Sequence, residues 1–146
     1  MRSTRVVIAV FFFGDGLSLG SWASRIPAVQ AQAHLTNAGL GLALFGSSLG
    51  ALIAMPVAGR LCERIGSRRV TITALVVAGA SLFGAASAGG LLALGVALFG
   101  FGAGFGSINV AANVQGIAVE RLYGRTILSS FHAAFSVGGL VGAEAE

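Results

Sequence analysis

The sequence has no lysine, one cysteine, two prolines, one tryptophan and one tyrosine, and only 10% of its residues are charged. Each scarcity excludes something. A soluble domain carries about 25% charged residues, so this chain lacks the polar surface to wrap a core in water. Intrinsic disorder needs low hydrophobicity and high charge, whereas 55% of this chain is hydrophobic. Cys62 stands alone, so no intramolecular disulfide forms and the redox compartment is not encoded. No stretch shows the apolar/polar alternation over about ten residues that a barrel strand requires. Glycine and long apolar runs are what abound: 23 glycines in 146 residues, without the three-residue period of collagen, and a mean hydropathy of +0.89. This composition describes an all-α, polytopic membrane helix bundle.

A helix needs about 20 mostly apolar residues to cross the hydrocarbon core. That ruler places helices at about 6–23, 39–61, 70–87, 91–119 and 127–143, four complete spans and most of a fifth, in one partial bundle over 1–146. Trp22 ends the first run as an interfacial aromatic. The mixed stretch 24–38, with Arg25, Pro27, Gln30, Gln32 and His34, reads as a connection, and Thr36 or Asn37 as the next N-cap. Ala88-Gly89-Gly90 forms a minimal turn.

All nine cations are arginines, and they are unevenly placed. With the N-terminus in the cytoplasm, Arg2, Arg5, Arg60, Arg64, Arg68, Arg69, Arg121 and Arg125 lie inside and only Arg25 outside, eight against one. Membrane proteins follow that bias, so we expect an inner-membrane, multi-pass protein with a cytoplasmic N-terminus and Cys62 open to thiol reagents from that side. The arginines anchor loops between apolar runs, so a pI near 11 does not indicate nucleic acid. A cleaved signal peptide fits poorly, because Asp15 interrupts the first run and the later spans need its orientation.

Chemistry-bearing residues are few. Asp15 lies in the middle of the first run, where a carboxyl group is costly and is by default a functional candidate. It could bind and release a proton during a transport cycle, or simply tie helices together. Asn109 and Asn113 are i, i+4 partners on the fourth helix, and Ser129, His132 and Ser136 form a stripe on the fifth. Amides, hydroxyls and an imidazole suit a polar, hydrogen-bonding solute, although the same groups also serve as interhelical glue. His132 has no second ligand at metal-binding spacing, so neither a metal nor a cofactor is expected. No P-loop, HExxH or CxxC is present and no enzyme is expected. Gly100 to Gly106 fails the GxGxxG test, because Phe105 or Ser107 falls where the last glycine belongs. Gly100/Gly104 and Gly102/Gly106 are instead small-xxx-small pairs on two helix faces, as are Gly16/Gly20, Gly46/Gly50 and Gly138/Gly142 elsewhere.

The block Gly59-Arg60-Leu61-Cys62-Glu63-Arg64-Ile65-Gly66-Ser67-Arg68-Arg69 follows the second span. It resembles the loop signature of the major facilitator superfamily, which joins that family's second and third helices on the cytoplasmic side. In that pattern Gly59 would allow close helix approach and Gly66 a tight turn. Glu63 would pair with Arg64, Arg68 or Arg69, or face a helix N-terminus. Glu63 stands where the family usually has Asp, and Ser67 replaces one basic residue. Ala23 to Pro27, Gly39 to Ala43 and Ser130 to Phe135 look most like the sugar-permease branch that contains fucose permease relatives. Drug/proton antiporters of the family place an arginine shortly before such a glycine run, but Val96 and Leu98 occupy those positions here.

The resemblance implies twelve helices in two halves, with alternating access around a site at their interface. It therefore implies secondary active transport of a small polar solute, such as a sugar, coupled to protons, with the lipid bilayer, the solute and a C-terminal half as partners. The chain is expected to be a truncated transporter, inactive alone, whose Gly100/Gly104 and Gly138/Gly142 faces lack neighbours. Two alternatives are a small multidrug-type exporter working as an oligomer and a non-transporting membrane protein.

Overall fold

The computed structural model describes residues 2–124 and 126–144. Arg125, counted above among the cytoplasmic cations, lies outside the described residues, as do the side chain of Arg2 and Ala145 and Glu146. The described residues form an all-α architecture of five helices: α1 (Arg2–Gln32), α2 (Asn37–Ile65), α3 (Ser67–Ala86), α4 (Leu91–Tyr123) and α5 (Leu128–Glu144). The first four are long and apolar enough to cross a membrane.

The helices outrun the apolar segments that announce them. α1 continues nine residues past Ala23, through Arg25 and Pro27, to Gln32. Proline removes one backbone donor but is tolerated in membrane helices when neighbouring groups re-satisfy the backbone, and Pro56 likewise lies inside α2. α1 then stops in a defined way. Leu35 N–H donates to the Gln30 carbonyl (3.1 Å) and His34 N–H to the Ala31 carbonyl (3.2 Å). His34 sits at φ 52° in the left-handed position that usually holds glycine. Gln30 Nε2 donates to the Leu35 carbonyl (3.2 Å) and to Asn37 Oδ1 (2.9 Å), and Gln32 Nε2 to the Ala86 carbonyl (2.6 Å). Thr36 caps α2, its Oγ1 accepting from Gly39 N–H at 3.2 Å. A polarity ruler reads such a polar stretch as loop, yet its side chains bond backbone and keep the chain ordered.

The chain forms two compact units, 27–111 and 1–26 with 112–146. In the first, α4 is the shared element. Its Gly102 meets the Ser47 carbonyl and its Gly106 meets Ala51 of α2, while Gly100 and Gly104 meet Ser81, Ala74 and Ala78 of α3. The pairs on different faces thus serve different neighbours, α2 running parallel to α4 and α3 antiparallel. In the second unit α1 and α5 run parallel. Gly16 and Gly20 meet the Phe135 and Gly139 carbonyls, and Gly138 and Gly142 meet those of Phe13 and Leu17. The expectation that Gly100/Gly104 and Gly138/Gly142 lack neighbours is therefore corrected: α3 and α1 cover them.

In lipid, large apolar side chains gain nothing by turning inward, so helices associate through small residues that let backbones approach. Buried positions accordingly include Ala43, Ala58, Ala74, Ala78, Ala85, Ala111 and Ala112, whereas Leu92 and Phe83 are more than 80% exposed. Larger buried residues occur in both units: Leu94, Leu98, Phe101 and Ile108 in the first, and in the second Phe12 and Phe131, which stack at 5.7 Å in a cluster with Ile8, Val119 and Ile127. Among the described residues no charged side chain is buried.

Candidate functional site

Asp15 stands half-buried near the middle of α1, one residue before Gly16 and its contact with α5. No hydrogen bond or ion pair engages its carboxyl group among the described residues. On α5, His132 is exposed and lies edge-on to Phe12, with ring centroids 5.4 Å apart. Ser136 Oγ donates to the His132 carbonyl at 3.1 Å, and Ser129 is exposed. The stripe flanks the face that Phe131, Gly138 and Gly142 bury. Asp15 and the α5 stripe therefore belong to one unit and one helix pair, although no hydrogen bond joins Asp15 to His132. Asn109 falls in the 27–111 unit and Asn113 in the other; both are half-buried and both have interaction partners.

The arginine block forms the α2–α3 connection, reduced to a single residue. Gly66, at φ +86°, ends α2 and precedes α3, its N–H donating to the Cys62 carbonyl at 3.1 Å. This conformation favours glycine, and the tight turn expected there is made. Two other expectations are corrected. A methyl group at Gly59 would meet only open space, so no close helix approach occurs there among the described residues. Glu63, Arg64, Arg68 and Arg69 are all exposed, and Glu63 forms no ion pair with any of them. The expected accessibility of Cys62 is also corrected: it is buried with Ala58, Val70 and Ala111.

Sequence reasoning missed Glu120. Half-buried near the end of α4, it turns one carboxylate oxygen onto the N–H groups of Ile127 and Leu128, both at 2.8 Å, at the start of α5. Those donors have no partner inside α5, and a carboxylate there also meets the positive end of the helix dipole. An acid eight residues ahead of a helix start was the available signal, but only the folded geometry brings it back.

Residues 6–143 match the Major Facilitator Superfamily. The chain belongs to this family of membrane transporters, and it is not an enzyme. It is 40% identical over 136 residues to an uncharacterized transporter, y4wD, of Sinorhizobium fredii, covering 93% of this chain and 36% of that protein. It is 38% identical over 141 residues to an uncharacterized MFS-type transporter of Yersinia pestis, covering 97% and 37%. A multidrug resistance protein B homolog of Mycobacterium tuberculosis is 27% identical over 147 residues, covering 95% and 26%. The chain thus spans little more than a third of the first two relatives. No solved structure matches it.

Proposed function

We propose that this chain supplies the first helices of a secondary active transporter for a small polar solute, and that Asp15 exchanges the coupling proton. The observation that carries this reading is the position of Asp15, a carboxyl group mid-way along a spanning helix and beside a glycine-packed contact. Side chains of this type inside a membrane mark ion and substrate pathways. Asn109, Asn113, Ser129, His132 and Ser136 are the solute-facing candidates, and their hydrogen-bonding chemistry fits a sugar. Drug export has one support, the similarity to the multidrug resistance protein B homolog. Against it stand Val96 and Leu98, where an arginine would precede the glycine run. Glu63 and Arg64 at the end of α2 and Arg68 and Arg69 at the start of α3, on either side of Gly66, gate the cycle against the C-terminal half on the cytoplasmic side, in an inner membrane with the N-terminus inside.

The test uses a transporter of the relatives' length that carries this segment. Asp15→Asn should abolish pH-driven uphill uptake while preserving solute exchange; normal uphill uptake by the variant removes Asp15 from the mechanism. For topology, Glu63→Cys in a Cys62→Ser background replaces the buried thiol with an exposed one. Labelling of that cysteine in intact cells by an impermeant reagent would overturn the orientation.

A further inference from the structure

A cleft of about 340 Å³ opens between α2 and α3 with α4 as its floor. Ile53, Val57 and Leu61 line one wall, and Val70, Thr73 and Val77 the other. The lining is apolar at its surface. Thr73 Oγ1 is already engaged with the carbonyls of Arg69 (3.1 Å) and Val70 (3.0 Å). Ile53 is 52% exposed and Val57 47%, so the cleft is open along its length.

Both walls end in arginine. On α2, Arg60 and Arg64 stand three residues beyond Val57 and Leu61, and on α3, Arg69 stands four before Thr73. Positions three and four apart share a helix face, so these cations continue the two walls to the rim. All three are exposed and, among the described residues, none is engaged in an ion pair, with Glu63 or any other acid. The first turn of α3 adds N–H donors that no side chain caps. A larger groove of about 520 Å³ between α2 and α4, lined by Leu42, Gly46, Leu92 and Phe99, has only apolar lining residues and so selects no particular occupant.

We propose that the α2–α3 cleft binds an anionic diacyl phospholipid. Arg60, Arg64 and Arg69 hold the headgroup phosphate, and one acyl chain lies along Ile53, Val57 and Val77. Basic groups at the membrane surface attract anionic headgroups, and guanidinium groups match phosphate oxygens in charge and geometry. A free anion would use the rim and leave the apolar cleft unfilled, whereas a zwitterionic lipid would fill the cleft without satisfying three cations. The inference rests on membrane embedding alone and stands apart from Asp15 and its role.

The test is lipid retention by the purified 146-residue chain, read by native mass spectrometry. Dioleoyl phosphatidylglycerol, dioleoyl phosphatidylcholine and glycerol 3-phosphate are the probes. Phosphatidylglycerol should be retained at least about tenfold more strongly than phosphatidylcholine. R60Q/R64Q/R69Q should erase the preference, R60K/R64K/R69K should keep it, and R5Q/R121Q, which removes cations elsewhere, should leave it unchanged. Ala74→Phe, which fills the cleft, should weaken retention of either lipid. Equal retention of the two lipids, or a loss as large in R5Q/R121Q as in R60Q/R64Q/R69Q, overturns the proposal. So does glycerol 3-phosphate binding as tightly as the whole lipid, since the cleft would then contribute nothing.

Discussion

Between α1 and α5, Gly16, Gly20, Gly138 and Gly142 each bring backbone against backbone, and a Cβ at any of them would collide with a carbonyl group. Between α2 and α4 the same arrangement recurs, with Gly46 and Gly50 against Gly95 and Phe99 and with Gly102 and Gly106 against Ser47 and Ala51, but it loosens at both ends. A Cβ at Gly46 would lie 2.9 Å from the Gly95 carbonyl oxygen, and one at Gly106 would lie 3.1 Å from Ala51 Cα with Met55 Cγ at 3.2 Å. The α1/α5 pair also carries ionisable groups beside its contact, with Asp15 next to Gly16 and His132 against Phe12. Beside the α2/α4 glycines stand Ser47 and Ser107, whose Oγ donates to the Ala103 carbonyl of its own helix, with Asn109 and Asn113 further along α4. One packing device therefore joins both pairs, and between α1 and α5 it lies beside Asp15.

The most damaging way to break that contrast is functional. Asp15→Asn should eliminate uphill uptake in a transporter of the relatives' length, whereas Ser47→Ala should leave uptake unchanged; equal effects would mean that the two pairs are not specialised. Packing should separate them next. Gly16→Val with Gly138→Val should cost about 3 kcal/mol or more, because the colliding atoms are backbone and cannot turn aside. Gly106→Ala should cost about 1 kcal/mol or less, since the Met55 side chain can yield. Unfolding in mixed micelles, followed by circular dichroism, measures both.

Smaller effects distinguish the ends of the two units. Glu120→Ala leaves the Ile127 and Leu128 N–H groups without their acceptor, and should destabilise α5 by about 1–2 kcal/mol. Hydrogen exchange at those two amides should accelerate, with exchange at α2 unchanged. At the end of α1 in the other unit, His34→Gly should be mildly stabilising, by about 0.5–1 kcal/mol, because glycine adopts φ 52° without the steric penalty histidine bears. Thermal unfolding would show a small rise, and a fall would indicate that the imidazole makes a contact of its own.

The glycine pairs show how much of the fold was legible in advance. Gly100/Gly104 and Gly102/Gly106 were readable as two faces of one helix, because a four-residue spacing is nearly one turn. Which helix each face meets was not readable, since every helix here offers small residues. The turn at Gly66 was also legible, because glycine between two long apolar runs marks a turn, but spans ending at 61 and resuming at 70 left eight residues between them where the structure leaves one. The reach of α1 to Gln32 was not. Pro27 and Arg25 argue for a break, and only the bonds from Gln30 and Gln32 explain the continuation. The site divides in the same way. Asp15 is conspicuous as a lone acid in an apolar run, while Glu120 looks like one more charge in a polar loop until its bonds to the Ile127 and Leu128 N–H groups tie it to α5.

The sequence by itself determined that this is an all-helical membrane chain and how many helices it forms, because apolar length and charge spacing act locally and need no partner. It also determined the family, through a pattern that runs along most of the chain. The tertiary structure alone decided which helices pair, that Cys62 is buried and Gly59 open, that Glu63 has no partner among the described arginines, and that a carboxylate from α4 starts α5. Those features depend on distances between residues far apart in the chain. In a bilayer, where apolar burial gives little direction, such distances are set by which small-residue faces come together.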